Sequence, residues 1–234
     1  MKESRQIIAM GGGGFSMEPD NPLLDRYVLE NAGADCPNVC FLPTASGDAD
    51  GYLLGFYKAF SQFDCRPTHL SLFALPTSDL LSFVLEQDVI YVGGGNTRSM
   101  LALWAEWGLD SILRTAWEQG VVMAGLSAGS ICWFEEGLSD FFPGELNVVK
   151  ALGLLSGSHN PHYDGEPLRR PRYRELIAQG AVSDGIAADD GVALHYRGTE
   201  LHAVVSSRPE GAAYRVRNTG EGVEEERIEP VRLR

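Results

Sequence analysis

Short apolar segments alternate with segments of helical periodicity through the first two thirds of the chain. The apolar segments are typical of strands buried on both faces, and they read QIIAM, NVCFLP, THLSLF, DVIYVGGG and VVMAGLS. Between them, apolar residues recur at helical spacing in NPLLDRYVLENAG, DGYLLGFYKAFSQF, SDLLSFVLEQ, TRSMLALWAEWG and LDSILRTAWEQG. This alternation predicts an α/β fold, with a doubly wound, mostly parallel sheet and helices on both faces.

The sequence pattern changes after Ser206. The segments AAYRVRN and EEERIEPVRLR have the pattern of short strands, and we expect them to add antiparallel strands at an edge of the sheet. No repeat, linker or low-complexity segment interrupts the sequence. We therefore predict a single domain that spans residues 1–234.

Composition excludes several classes of partner. The net charge of −13 argues against binding to nucleic acids or anionic membranes, which requires basic surfaces. No apolar stretch reaches transmembrane length, and the apolar run near the N-terminus is too short for a signal peptide. The four cysteines lack the spacing of zinc ligands, so we expect reduced thiols, no metal and a cytoplasmic protein.

A serine surrounded by small residues follows the fifth predicted strand. Gly125 to Gly129 match the pattern G-x-S-x-G, the nucleophile elbow, in which a strand turns sharply into a helix. Such a turn leaves Ser127 exposed at a helix N-terminus, where backbone N–H groups favour negative charge. The sequence therefore indicates a nucleophilic serine, with the N–H group of Ala128 placed to stabilise an oxyanion.

Two further glycine-rich turns are expected at the same edge of the sheet. The turn VGGGNT follows the fourth strand, and Gly94 or Gly95 could supply a second oxyanion donor, with Asn96 or Thr97 as helix cap. The turn GGGGFS follows the first strand, but it lacks the dinucleotide fingerprint and the P-loop lysine. We expect this first turn to allow close backbone approach rather than to bind a nucleotide.

A serine nucleophile needs a base and an orienting carboxylate. The polar segment SGSHNPHYDGE carries His159 and His162, and either could serve as the base. The other three histidines lie in strand-like patterns and are expected to be structural. Composition does not choose the carboxylate, for which the sequence offers Glu135, Glu136, Asp140, Asp189 and Asp190.

Four motifs, VGGGNT, GLSAGS, NPHYDGE and DDGVAL, resemble in their order and spacing the peptidase E (aspartyl dipeptidase) and cyanophycinase family of serine peptidases. The likeness runs from the first strand to VVSSRP. It implies a sheet like that of class I glutamine amidotransferases. It also implies Ser127 as nucleophile, His162 as base and Asp190 as third member, with Asp140 as the alternative.

The resemblance also implies the substrate class. Members of the family act on dipeptides or short peptides without a cofactor, so we expect a small peptide substrate, and a homodimer is compatible with the sequence. An arginine of peptidase E that holds an N-terminal aspartate corresponds best to Arg169. The residues expected to contact substrate are Asn96, His159, Arg169 and Arg170, the two arginines lying in an extended stretch before Pro171. The alternatives are a cyanophycinase-like hydrolase, an esterase, or a non-catalytic domain that binds peptides or other small molecules.

Overall fold

The computed structural model describes residues 5–234, so the first four residues of the segment considered above as a signal peptide lie outside the described part. The strands are β1 (Gln6–Met10), β2 (Asn38–Leu42), β3 (Arg66–His69), β4 (Val89–Val92), β5 (Val122–Leu126), β6 (Phe134–Phe142), β7 (Glu145–Lys150), β8 (Leu155–Asn160), β9 (Gly185–Ala188), β10 (Val192–Arg197), β11 (Glu200–Ser206), β12 (Ala213–Asn218), β13 (Val223–Ile228) and β14 (Val231–Arg232). The helices are α1 (Gly14–Met17), α2 (Leu23–Glu30), α3 (Asp50–Phe60), α4 (Leu80–Leu85), α5 (Thr97–Glu106), α6 (Leu109–Glu118), α7 (Ala128–Ile131) and α8 (Arg169–Ala178), with a 3₁₀ turn at Thr44–Ser46.

An eight-stranded sheet forms the centre of the fold. Its order is β14-β11-β10-β1-β5-β4-β2-β3, and β1 to β5 are mutually parallel. Every residue of β1, β4 and β5 is buried, as their continuous apolar sequences predict. Two separate apolar clusters pack against this sheet, one built around Ile7 and Trp104 and the other around Ile8 and Phe41. The predicted α/β fold with a mostly parallel sheet is therefore confirmed.

A second sheet of six strands, in the order β13-β12-β9-β8-β6-β7, was not predicted from the sequence. The expected C-terminal strands β12 and β13 are antiparallel, but they extend this second sheet, whereas β14 lies parallel to β11 at the edge of the first. One apolar cluster contains Ile7 and Val92 from the first sheet and Phe134 and Ile186 from the second. The two sheets therefore share part of their core.

Two boundaries differ from those expected. The third strand, predicted over THLSLF, occupies Arg66–His69, and the side chains of Leu70 and Leu72 are buried from a loop instead. The stretch before Pro171 is helical rather than extended, because α8 begins at Arg169. Proline is tolerated in the first helical turn, where its missing N–H group would have no acceptor within the helix.

Candidate active site

Ser127 lies on a sharp turn between β5 and α7. Its backbone adopts φ 55° and ψ −116°, a conformation that is costly for a residue with a side chain. The strand order places β5 between β1 and β4, so Ser127 emerges at the centre of the sheet edge at which the parallel strands end. Strained backbone of this kind persists where the surrounding structure enforces it, and it is common at functional sites.

The elbow requires the two glycines that flank Ser127. A Cβ atom on Gly125 would lie 2.3 Å from the carbonyl oxygen of Gly129. A Cβ atom on Gly129 would lie 2.2 Å from the carbonyl oxygen of Val92, on the neighbouring strand. Both distances are far below van der Waals contact, so the G-x-S-x-G spacing follows from packing between the turn and β4.

His162 and Asp190 form a buried pair. His162 Nδ1 lies 2.6 Å from Asp190 Oδ1, and both side chains are 10% exposed. His162 has φ 53°, so it joins Ser127 among the three non-glycine residues with positive φ in the described chain. A carboxylate can only accept, so Nδ1 carries the proton and Nε2 remains the free ring nitrogen.

The first glycine turn connects Ser127 to this pair. The Ser127 N–H group donates to the Met10 carbonyl (3.3 Å), and the His162 N–H group donates to the Gly11 carbonyl (3.0 Å). A Cβ atom on Gly12 would lie 2.0 Å from Asp190 Oδ1 and 2.9 Å from His162 Nδ1. The turn is therefore packed against the histidine–aspartate pair, which explains its glycines without a phosphate ligand.

Within residues 5–234, no acceptor is found for the N–H group of Ala128, the residue after Ser127, or for that of Gly95 in the neighbouring glycine turn. The N–H group of Gly94 instead donates to the Tyr52 hydroxyl at 3.0 Å. A Cβ atom on Gly94 would lie 3.7 Å from Ser127 Oγ, so this turn packs directly on the serine. Of the two glycines considered from the sequence, Gly95 has the available donor.

His159 is structural, contrary to the expectation that it contacts substrate. The side chain is fully buried and stacks on Phe134 at 4.7 Å. Its Nδ1 donates to the Ile186 carbonyl (2.9 Å), and its Nε2 pairs with Ser130 Oγ (3.0 Å). Burial lowers its pKa to about 3, so the ring is neutral. Its contact with Ser130 supports α7, the helix that follows the Ser127 turn.

The other candidate carboxylates have partners other than His162. Asp189 Oδ2 accepts the Ala212 N–H group, and burial raises the pKa of Asp189 to about 6. Glu135 accepts the Gly157 N–H group, and Glu136 binds Lys150 and Ser183. The side chain of Asp140 is 60% exposed and lies 3.7 Å from Arg169 Nη2.

The two arginines expected to bind substrate are engaged within the protein. Arg169 is 2% exposed, and it donates to Glu166 (2.7 Å) and to the Leu138 carbonyl (2.8 Å). Arg170 pairs with Glu225 and lies over the ring of Tyr214. These contacts contradict the predicted clamp at Arg169, because its guanidinium is buried and already paired.

Asn96 caps α5, as the alternative interpretation of that motif predicts. Its side-chain oxygen accepts the Ser99 N–H group (2.9 Å), and its amide nitrogen donates to the Phe141 carbonyl (3.3 Å) at the end of β6. Asn96 therefore joins the glycine turn to the β6–β7 hairpin. Within residues 5–234, no group of three or more histidine, cysteine or acidic side chains is placed to hold a metal ion.

Comparison with known proteins identifies the family. The model of peptidase family S51 matches residues 7–204. The chain belongs to peptidase family S51. An uncharacterized peptidase of Bacillus subtilis, YgaJ, is 61% identical over 91% of this chain and 92% of its own length. Peptidase E of Shewanella denitrificans is 31% identical over 70% of this chain and 73% of its own length.

A solved structure supports the fold of this S51 peptidase. The crystal structure of a peptidase from an acI-B1 actinobacterium superimposes with a TM-score of 0.74 at 17% identity, covering 98% of this chain and 96% of that one. In the described residues, no helix is both long and apolar enough to cross a membrane.

Three residues near the site of this S51 peptidase were not among the site residues predicted from the sequence. Tyr52 holds the Gly94 N–H group, and Asp164 Oδ1 accepts the Asp190 N–H group at 2.8 Å. Arg208 Nη1 lies 4.0 Å from Asp190 Oδ2. Two of the three had a signal in the sequence, since Asp164 belongs to the motif NPHYDGE and Arg208 to the segment VVSSRP, both part of the family likeness.

Proposed function

We propose that this S51 peptidase is a serine peptidase that hydrolyses dipeptides or other short peptides through an acyl-enzyme. One observation carries the proposal. The backbone N–H groups of Ser127 and His162 donate to the consecutive carbonyls of Met10 and Gly11, and the His162 side chain is paired with Asp190. A nucleophile, a base and an orienting carboxylate thus meet at one turn.

The chemistry follows from the free groups. His162 Nε2 accepts the proton of Ser127 as Oγ attacks the scissile carbonyl, and Asp190 stabilises the imidazolium that forms. The N–H groups of Ala128 and Gly95 bind the oxyanion. His162 then donates the proton to the leaving amine, and an ester joins Ser127 Oγ to the acyl group. Water activated by His162 hydrolyses that ester and restores the enzyme.

Burial of the site supports a small substrate. His162 is only 7% exposed, so a folded protein would have to unfold locally to bring a peptide bond to its ring. The resemblance to the peptidase E family, which implies dipeptide or short-peptide substrates, agrees with the peptidase E name of the relative in Shewanella denitrificans. We also propose a cytoplasmic location, because all four thiols are free.

The test is a dipeptide hydrolysis screen with wild type and four variants. We expect Ser127→Ala and His162→Ala each to lower kcat/KM by at least about a thousandfold, because members of a triad act as a unit. Asp190→Asn should lower it by a comparable factor, since an amide leaves the ring in the wrong tautomer. The matched control, Asp140→Asn, should stay near wild type. A large loss at Asp140 with a small loss at Asp190 would contradict the assignment.

The same screen separates the alternatives. Selective cleavage of β-aspartyl-arginine would indicate a cyanophycinase-like enzyme, and turnover of p-nitrophenyl acetate without any dipeptide would indicate an esterase. Absence of turnover and of Ser127 labelling by a fluorophosphonate would indicate a binding domain. An N-terminal Asp preference is measured by comparing Asp-Leu with Ala-Leu and Leu-Leu, and equal rates would exclude it.

A further inference from the structure

Arg208 approaches the catalytic carboxylate from the side opposite His162. Its Nη1 lies 4.0 Å from Asp190 Oδ2, whereas Asp190 Oδ1 is paired with His162. A Cβ atom on Gly191 would lie 2.7 Å from Cγ of Arg208, so the arginine packs tightly on the residue after Asp190. The two oxygens of one carboxylate therefore face two different cationic partners when His162 is protonated.

Glu18 holds Arg208 at this distance. Arg208 Nε donates to Glu18 Oε1 at 2.5 Å, and the Glu18 side chain is 14% exposed. Glu18 Oε2 accepts from Ser207 Oγ (3.0 Å) and from Asn21 Nδ2 (3.3 Å). Glu18 is thereby fixed by three donors, and it competes with Asp190 for the charge of the guanidinium.

The surroundings of Asp190 are otherwise acidic. Asp164 contacts the Asp190 backbone, and Asp189 precedes it in the chain. Other charged or titratable groups lie near the pair on the loop after β8, on β8 itself and on α8: Tyr163, Glu166, His159 and Arg169. None of them places a cation as close to Asp190 as Arg208 does. Removing Arg208 would leave the carboxylate with like-charged neighbours.

We propose that Arg208 is a positioning residue that balances the charge of Asp190, and that Glu18 sets the strength of this effect. The inference rests on the proposed function. When no cation offsets the negative charge of Asp190, the carboxylate favours the protonated His162 ring, which cannot act as a base. When a cation offsets that charge, the His162 ring loses its proton more readily. Loss of Arg208 should therefore shift activity to higher pH, and loss of the Glu18 charge should shift it to lower pH.

The experiment measures the rate at which a fluorophosphonate labels Ser127 between pH 5 and pH 9. The proteins are wild type, Arg208→Gln, Arg208→Lys, Glu18→Gln and a matched control, Arg172→Gln, which removes an exposed arginine paired with Glu175. We expect the midpoint of the acid limb to rise by about half a pH unit or more in Arg208→Gln, a roughly threefold loss of rate on that limb. It should remain near wild type in Arg208→Lys and fall in Glu18→Gln.

If the midpoint of the acid limb shifts in opposite directions in Arg208→Gln and Glu18→Gln, the two residues act through charge. A purely structural role would change the labelling rate of both variants in the same direction. Shifts of the same sign, or an Arg208→Gln profile that coincides with Arg172→Gln, would overturn the inference while leaving Ser127 reactive. Absence of labelling in wild type would instead overturn the proposed function. If Arg208→Gln does not fold, Glu18→Gln alone decides, because an unchanged or upward shift contradicts the proposal.

Discussion

Asp25 lies buried on α2, and it offers a test of the burial energetics. The residue is 1% exposed, and its Oδ1 accepts the Tyr91 hydroxyl at 2.9 Å. Burial raises its pKa from 3.8 to about 7, although the hydrogen bond from Tyr91 acts in the opposite direction. We predict that Asp25→Asn stabilises the protein at neutral and alkaline pH.

The sign and size follow from proton linkage. Between pH 3.8 and about 7 the folded state keeps a proton on Asp25 that the unfolded chain has lost, so the free energy of unfolding falls as pH rises through this window. One pH unit corresponds to about 1.4 kcal/mol, so the full effect is roughly 4 kcal/mol. Asparagine is neutral at every pH, and its oxygen can still accept from Tyr91.

The assay is chemical denaturation of wild type and Asp25→Asn at pH 4, 5, 6, 7 and 8. The two proteins should be close in stability at pH 4, and the advantage of the variant should grow by roughly 3 kcal/mol between pH 5 and pH 8. Taking the difference between the two proteins removes the contribution of every other titrating group. A difference that stays constant with pH, or that shrinks as pH rises, would refute the reasoning.

Two further substitutions test the packing around the site. Arg169→Ala should cost about 2–4 kcal/mol of stability, because it leaves the Leu138 carbonyl without the Arg169 donor. The ratio of the Asp-Leu rate to the Ala-Leu rate should stay unchanged. A changed ratio in a variant of full stability would instead support Arg169 as the substrate clamp. Gly129→Ala should abolish activity and cost at least about 3 kcal/mol, because its Cβ would meet the Val92 carbonyl. Gly51→Ala, where nothing lies within 4 Å, is the matched control, and a similar loss there would contradict the argument.

The parts of the fold that depend on local pattern could be predicted from the sequence. The strands β4 and β5 are continuous apolar runs, as is β1 after Gln6, and the elbow around Ser127 has fixed glycine spacing. The second sheet could not be predicted in the same way. Its strand β6 carries the buried Glu136, whose partners Lys150 and Ser183 lie 14 and 47 residues further along the chain. A strand whose polar residues are buried against distant partners cannot be recognised from the local sequence pattern.

The arginines show the same limit at the site. Arg169 was expected to be available because the stretch before Pro171 was predicted to be extended, yet its acceptors include the Leu138 carbonyl, 31 residues earlier. Burial of a charged group depends on partners that only the fold brings together. The pairing of His162 with Asp190, by contrast, agrees with the family likeness, since both residues lie in its motifs.

The four-glycine turn explains how two sheets can supply one site. Three consecutive carbonyls, of Met10, Gly11 and Gly12, accept the N–H groups of Ser127, His162 and Gly191. Ser127 follows a strand of the first sheet, and His162 follows a strand of the second, so neither sheet alone fixes their separation. A side chain on Gly11 or Gly12 would push these segments apart, because a Cβ atom on Gly11 would lie 2.4 Å from the Asp189 carbonyl oxygen and one on Gly12 would lie 2.0 Å from Asp190 Oδ1. The absence of side chains at the turn is therefore what allows its backbone to bring Ser127, His162 and the loop that carries Asp190 together.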